Sequence, residues 1–219
     1  MTRWIDVAAD LVLGATCPGC NEPGLRTCRR CRAALENATA FAVTRALPSF
    51  PMATSGGVYG GSLRRLVAAH KERGARHAGP LLGSLLSSAV IWQGVPGPLT
   101  LVPVPSTPAA VRRRGYDSVL LIASDAARRL RRNGHPVVVS RVLRHVRRLE
   151  DQAGLDTAAR WENLRGAMVA RPVQGRVLVV DDVCTTGATL TEACRALLEA
   201  GAGECRAATV SATLLRRAP

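Results

Sequence analysis

Val177-Leu-Val-Val-Asp-Asp-Val-Cys-Thr-Thr-Gly-Ala-Thr189 decides how this chain is read. Its apolar start has no polar alternation, as expected of a parallel strand buried on both faces. Two adjacent acids, Asp181 and Asp182, follow it, and then a Thr/Gly loop that opens a helix. This order predicts that the acids lie at the carboxyl edge of a sheet, where open α/β sheets bind ligands. The loop Thr185-Thr186-Gly187-Ala188-Thr189 would aim N–H groups, hydroxyls and a helix dipole at a phosphate. The two carboxylates would accept hydrogen bonds from a sugar's vicinal hydroxyls. A purely structural alternative is a strand–turn–helix with Thr189 and Glu192 as a capping box. It does not account for neighbouring carboxylates that each raise the other's cost of ionising. The segment is not a Walker loop, because the glycine spacing and the lysine are both missing.

The surrounding pattern is α/β. Helices are expected over 29–37, 62–70, 78–91, 118–132 and 188–200, and strands over 99–104, 136–140, 176–180 and 206–214. This alternation predicts a parallel sheet flanked by helices. Residues 45–57 carry Pro48, Pro51 and Gly56-Gly57 and are read as a boundary. The expected division is a segment of residues 1–44, with a helix and paired cysteines, and a larger domain of residues 45–219.

Length and composition agree with one domain plus a small appendage: 219 residues, 47% hydrophobic and 21% charged. No apolar run is long enough for a membrane span, so no membrane insertion is expected. Near the start, Asp6 and Asp10 interrupt the apolar stretch Ile5–Leu13. Trp4, Val7, Ala8, Leu11 and Val12 fall at helical spacing, so an amphipathic helix is expected rather than an export signal. The cytoplasm is the expected compartment, and its thiols stay reduced.

Four of the seven cysteines form two C-x2-C pairs, Cys17/Cys20 and Cys28/Cys31, with seven residues between the pairs. Two such turns can close a tetrahedral site of four thiolates around structural Zn2+. A site filled by four sulfurs has no open position for catalysis. Cys194 and Cys205 read as small apolar residues, and Cys184 places a thiol beside the loop.

The net charge is +14, and residues 112–148 hold eleven arginines against Asp117 and Asp125, a local +9. Such a balance points to phosphate-rich partners, whether nucleic acid or a small anion. Lys71 is the sole lysine. The scattered aromatics offer no stacking platform for single strands.

Taken together, the motifs resemble those of the ComF family within the type I phosphoribosyltransferase superfamily. The 177–189 segment is similar to that superfamily's phosphoribosyl pyrophosphate motif. Tyr59-Gly-Gly-Ser-Leu-Arg-Arg-Leu with His70-Lys71, Val102-Pro-Val-Pro105 with Arg114-Gly-Tyr-Asp117, and Gln152, Arg160 and Asn163 resemble further ComF signatures. The paired cysteines match that family's zinc segment. The resemblance implies a type I phosphoribosyltransferase-like fold with a small N-terminal zinc knuckle. It implies ribose hydroxyls on Asp181 and Asp182, and the 5′-phosphate on Thr185, Thr186, Gly187, Ala188 and Thr189.

It also implies a pyrophosphate loop at Val104, Pro105 and Ser106, with Lys71 and Arg114 as cations and Mg2+ bridging the ligand's oxygens. A lid at 149–163 would deliver Gln152 and Arg160. For Lys71 a helix-end cap is the simpler role, for Arg114 a solvated face of Arg112-Arg113-Arg114, and for the lid residues an ordinary loop. Asp117 stands where the family has Asn and adds an acid beside Arg114. The implied activity is phosphoribosyl transfer to an unidentified nitrogen acceptor. The alternative is a DNA-uptake and competence protein that binds single-stranded DNA and helicase-type partners, with the ribose-phosphate site regulatory or inactive. Oligomeric state is left open.

Overall fold

A computed structural model describes residues 16–146 and 164–214. The elements run α1 (Arg29–Glu36), β1 (Phe41–Val43), β2 (Ala53–Ser55), α2 (Gly61–Glu72), a 3-10 turn (Arg76–Ala78) and α3 (Gly79–Trp92). They continue with β3 (Leu99–Pro103), α4 (Pro108–Arg114), α5 (Ser118–Arg132), β4 (Val137–Val139), β5 (Leu143–His145) and β6 (Met168–Ala170). Last come β7 (Arg176–Cys184), α6 (Ala188–Glu199) and β8 (Glu204–Ala212). The helix expected around Trp4–Leu13 and the residues Gln152, Arg160 and Asn163 lie outside the described residues.

Six strands form one sheet in the order β1-β2-β8-β7-β3-β4. Every pairing is parallel except the edge pair β1–β2. The apolar run of β7 shows why it sits near the centre. Leu178 and Val180 point into a core shared with α2, α3 and α5. Val177 and Val179 point into a second core, shared with α6 and the antiparallel pair β5–β6. All four are essentially without exposure. Period-two alternation thus distributes one apolar run between two cores, and burying each such side chain contributes about 1.5–3 kcal/mol.

α5 forms at the expected residues because Val119, Ile122, Ala123, Ala126, Ala127 and Leu130 recur at helical spacing and are all buried. Asp117 caps its first turn by accepting from the Leu120 N–H at 3.2 Å. Arg128, Arg129, Arg131 and Arg132 lie on its exposed face.

Two differences from the sequence reading bear on the site. β7 does not stop at Val180 but stays in register with β8 through Cys184, pairing Asp181 with Thr209. The acids are therefore held by a strand rather than by a loop. The segment read as a boundary contains β2, which pairs with β8, and β1 pairs with β2 in turn. Both strands have only three residues, too few for a periodic signal.

Candidate functional site

Adjacent residues of a strand face opposite ways, and the two acids differ accordingly. Asp182 is buried, with its side chain only 3% exposed, and meets the ammonium of Lys71 in the last turn of α2. Lys71 Nζ donates to Asp182 Oδ1 at 3.2 Å and lies 3.1 Å from Oδ2. Asp181 is half-buried, and its Oδ1 accepts from the Asp182 N–H at 2.8 Å. Burial and the Asp182 charge push the Asp181 carboxyl up to about 8, against the pull of Lys71. Burial lowers the Lys71 pKa, but the charges of Asp182 and Asp181 outweigh it and hold the ammonium above its ordinary range. The site is an acid pair in which Asp181 is hard to ionise and Lys71 sits on the deeper carboxylate of Asp182.

The Thr/Gly loop joins β7 to α6, with Gly187 as the N-cap residue at φ +88°. That left-handed conformation suits glycine. A Cβ there would also lie 2.6 Å from the ring of Phe50. Thr186 Oγ1 accepts weakly from the Ala188 N–H at 3.4 Å. The first turn of α6 contributes N–H groups that have no partner within the helix. Arg45, just after β1, fixes the loop from behind. Its guanidinium donates to the carbonyls of Thr185, Cys184 and Thr213 at 2.5, 3.1 and 2.7 Å. Neither Arg45 nor Phe50 belongs to any motif, and no sequence signal marks them.

Glu192 does not form a capping box with Thr189. Its fully buried carboxylate accepts from the Met168 N–H at 3.0 Å and from Arg195, which also bonds the Met168 carbonyl at 2.9 Å. Burial raises its pKa, but Arg195 and the backbone donors win and keep it low. The pair ties α6 to β6. Cys184, the thiol beside the loop, is buried, and burial lifts it to about 11.

The loop after β3 faces the acids. The Val104 N–H donates to the Val180 carbonyl at 2.9 Å, and Ser106 Oγ donates to Asp117 Oδ1 at 3.0 Å. Asp117 therefore caps a helix and positions the loop. Arg114 is half-buried, not part of a solvated face, and its Nη1 donates to the Lys71 carbonyl at 2.8 Å and to Ser118 Oγ at 2.9 Å. His145, which shows no motif spacing, donates from Nε2 to the Pro105 carbonyl at 2.9 Å, and its buried Nδ1 has no hydrogen-bond partner among the described residues.

Lys71, Val104, Pro105, Ser106, Arg114, Asp181, Thr189 and His145 all line one cavity of about 270 Å³. Residues separated by more than a hundred positions in the chain are thus brought together, with the Asp181 carboxyl, two cations and the start of α6 converging on one space, while Asp182 and Thr185–Ala188 do not line it. Such a space suits a sugar phosphate. A larger cleft of about 580 Å³ shares Pro105 and Ser106 with it and is lined by Arg112, Arg141 and Arg171.

Residues 117–218 match the family model of the phosphoribosyl transferase domain. The match covers 102 of the 219 residues. It spans the acids, the Thr/Gly loop and α6, and it agrees with a phosphoribosyl transferase domain built on a mostly parallel sheet flanked by helices. No curated protein matches the chain significantly. Among the described residues, no helix is long and apolar enough to cross a membrane.

The four N-terminal cysteines lie outside the matched segment. The sulfurs of Cys17, Cys20, Cys28 and Cys31 all lie within 4.8 Å of one another, an arrangement that can hold a metal ion. Burial pushes the Cys17 thiol up, but N–H groups of Cys28 and Gly19 bring it down to about 7. Burial and the neighbouring sulfurs raise Cys31. Four sulfurs gathered this closely suit a divalent cation, and an all-sulfur set suits Zn2+. The knuckle rests on α2: Arg65 Nε donates to the Gly19 carbonyl, and Leu66 packs so close that a Cβ on Gly19 would lie 2.7 Å from it.

Proposed function

We propose that this protein binds phosphoribosyl pyrophosphate with Mg2+ and transfers its phosphoribosyl group to a nitrogen nucleophile, in the manner of the ComF branch. The carrying observation is the shared cavity of Asp181, Thr189, Lys71 and the Val104–Ser106 loop. Asp181 and Asp182 accept from the ribose hydroxyls. Thr185–Thr189 hold the 5′-phosphate at the start of α6, and the loop after β3 holds the diphosphate. The carboxylates of Asp181 and Asp182 and the ligand's own oxygens are the hard donors Mg2+ prefers, and a bound ion would supply positive charge to the leaving diphosphate.

Lys71 has a second task. Its side chain is 48% exposed, so the ammonium can turn from Asp182 towards the incoming diphosphate. Arg114 stays behind and holds the Lys71 backbone in place. In the transfer, the nitrogen lone pair forms a bond to C1′ as the C1′–O bond breaks. Pyrophosphate departs with that electron pair, and the proton on nitrogen passes to water or pyrophosphate. Gln152 and Arg160 are the residues we assign to closing the site against water. Cys17, Cys20, Cys28 and Cys31 hold structural Zn2+, and the protein acts in the cytoplasm.

Release of pyrophosphate from the sugar diphosphate, followed with a panel of purine, pyrimidine and amine acceptors, tests the transfer. Acceptor-dependent release that disappears in Asp181→Ala, Asp182→Ala supports it. Tight binding without release for any acceptor makes the protein a sensor of the sugar diphosphate instead.

A second reading, binding of single-stranded DNA, is favoured by the exposed guanidiniums of Arg112 and Arg113 on α4 and of Arg128, Arg129, Arg131 and Arg132 on α5. Affinity that falls by orders of magnitude between about 50 and 200 mM salt is its signature.

A further inference from the structure

Two cysteines outside the knuckle, read from the sequence as small apolar residues, meet in the fold. Cys194 lies in α6 and is 3% exposed; Cys205 is the second residue of β8 and is half-buried against the same apolar cluster. Their sulfurs are 2.7 Å apart. Both thiols are free, and a disulfide bond, about 2.05 Å long, lies within a short further approach. Cys205 pairs with Val177, at the opposite end of β7 and β8 from Asp181, so the contact belongs to neither the cavity nor the metal cluster.

We propose that Cys194 and Cys205 form a reversible intramolecular disulfide when the protein meets hydrogen peroxide. Cys205, the more accessible sulfur, reacts first. Its thiolate attacks one peroxide oxygen, the O–O bond breaks, and a sulfenic acid forms with release of one water. The Cys194 sulfur then attacks the Cys205 sulfur. The S–S bond forms, the S–O bond breaks, and hydroxide leaves with the Cys194 proton as the second water. Two thiols lose two electrons and two protons, and one peroxide becomes two waters. A dithiol reductant reverses the step.

The order of events agrees with the surroundings. The contact with Cys205, and after it burial, keep Cys194 protonated, which leaves it the resolving partner. The bond would close the short loop through the end of α6 and the turn at Gly201, fastening to β8 the helix that carries the Thr/Gly loop. Oxidation should therefore stiffen the chain, chiefly by constraining its unfolded form.

The test treats the full-length, metal-loaded protein with stoichiometric hydrogen peroxide, alkylates the remaining thiols, digests with trypsin and weighs the peptides. Cleavage after Arg176, Arg195 and Arg206 puts Cys194 on peptide 177–195 and Cys205 on peptide 196–206. Because 177–195 also holds Cys184, the digest is repeated in Cys184→Ala, or fragment spectra of the wild type assign the linked sulfur. The expected result is one linked pair, two hydrogens lighter than its parts and lost on reduction. A peroxide-dependent rise in Tm of ~5–10 °C should accompany it and be absent in Cys205→Ser. The proposal is overturned if both thiols remain alkylatable after the Cys17 cluster has oxidised. It is equally overturned if the linked sulfur is Cys184, or if Cys205→Ser keeps the rise.

Discussion

Lys71, the sole lysine of the chain, holds the buried carboxylate of Asp182 with its ammonium 3.2 Å from Oδ1 and 3.1 Å from Oδ2. The pair joins α2 to β7 and neutralises Asp182, and in the function we propose the same cation also meets the diphosphate. Lys71→Met removes both. Because the lysine is half-exposed, screening limits the loss of stability to about 1 kcal/mol. Affinity for the sugar diphosphate should fall further, by roughly 100-fold. Chemical denaturation and calorimetry on the same samples separate the two effects.

Asp181 links stability to pH. Its carboxyl stays protonated in the folded protein up to about 8, against 3.8 as its ordinary value. Between those limits the folded state binds more protons than the unfolded one. The stabilisation is present below pH 4 and is lost as pH rises towards 8. Asp181→Asn removes this slope, so at pH 8 it should melt above the wild type, by about 2–6 °C. The same variant should bind the sugar diphosphate poorly. Melting curves from pH 5 to 9 check the sign.

Arg45 acts on the Thr/Gly loop through three carbonyls. Arg45→Ala should lower affinity for the sugar diphosphate about tenfold, equivalent to about 1.4 kcal/mol. Arg45→Lys supplies a charge without the planar fork and should recover little of it. Calorimetric titration of both variants measures the difference.

The cysteine cluster supports α2 from below, through Gly19 against Arg65 and Leu66. Removing Zn2+ with a chelator, or substituting Cys17→Ser, should lower Tm by several degrees. Because Lys71 ends that helix, the affinity for the sugar diphosphate should drop as well. Metal analysis should return one zinc per chain, and calorimetry before and after chelation tests the coupling.

The two buried faces of β7, the length of α5 and the pairing of four cysteines were legible because each follows from a local pattern. Asp181, Asp182 and Thr185–Thr189 stood out as a candidate group because strand, acids and helix start are consecutive. Arg45, Phe50 and His145 were not, because their roles come from strands that close only in three dimensions. β1 and β2 are too short to alternate visibly. The role of Glu192 was not legible, because only the tertiary fold brings the Met168 N–H to its carboxylate. Asp117 was read as a charge beside Arg114, whereas its position before α5 makes it a cap.

The most direct measurement is a calorimetric titration of phosphoribosyl pyrophosphate with Mg2+ into the full-length protein. It is performed on the wild type and on Asp181→Ala, Asp182→Ala, with circular dichroism confirming that the double variant is folded. Saturable one-to-one binding by the wild type, weakened at least about 100-fold in the double variant, is the predicted result. Absence of binding in the wild type, or equal binding by both, would contradict the assignment of this cavity.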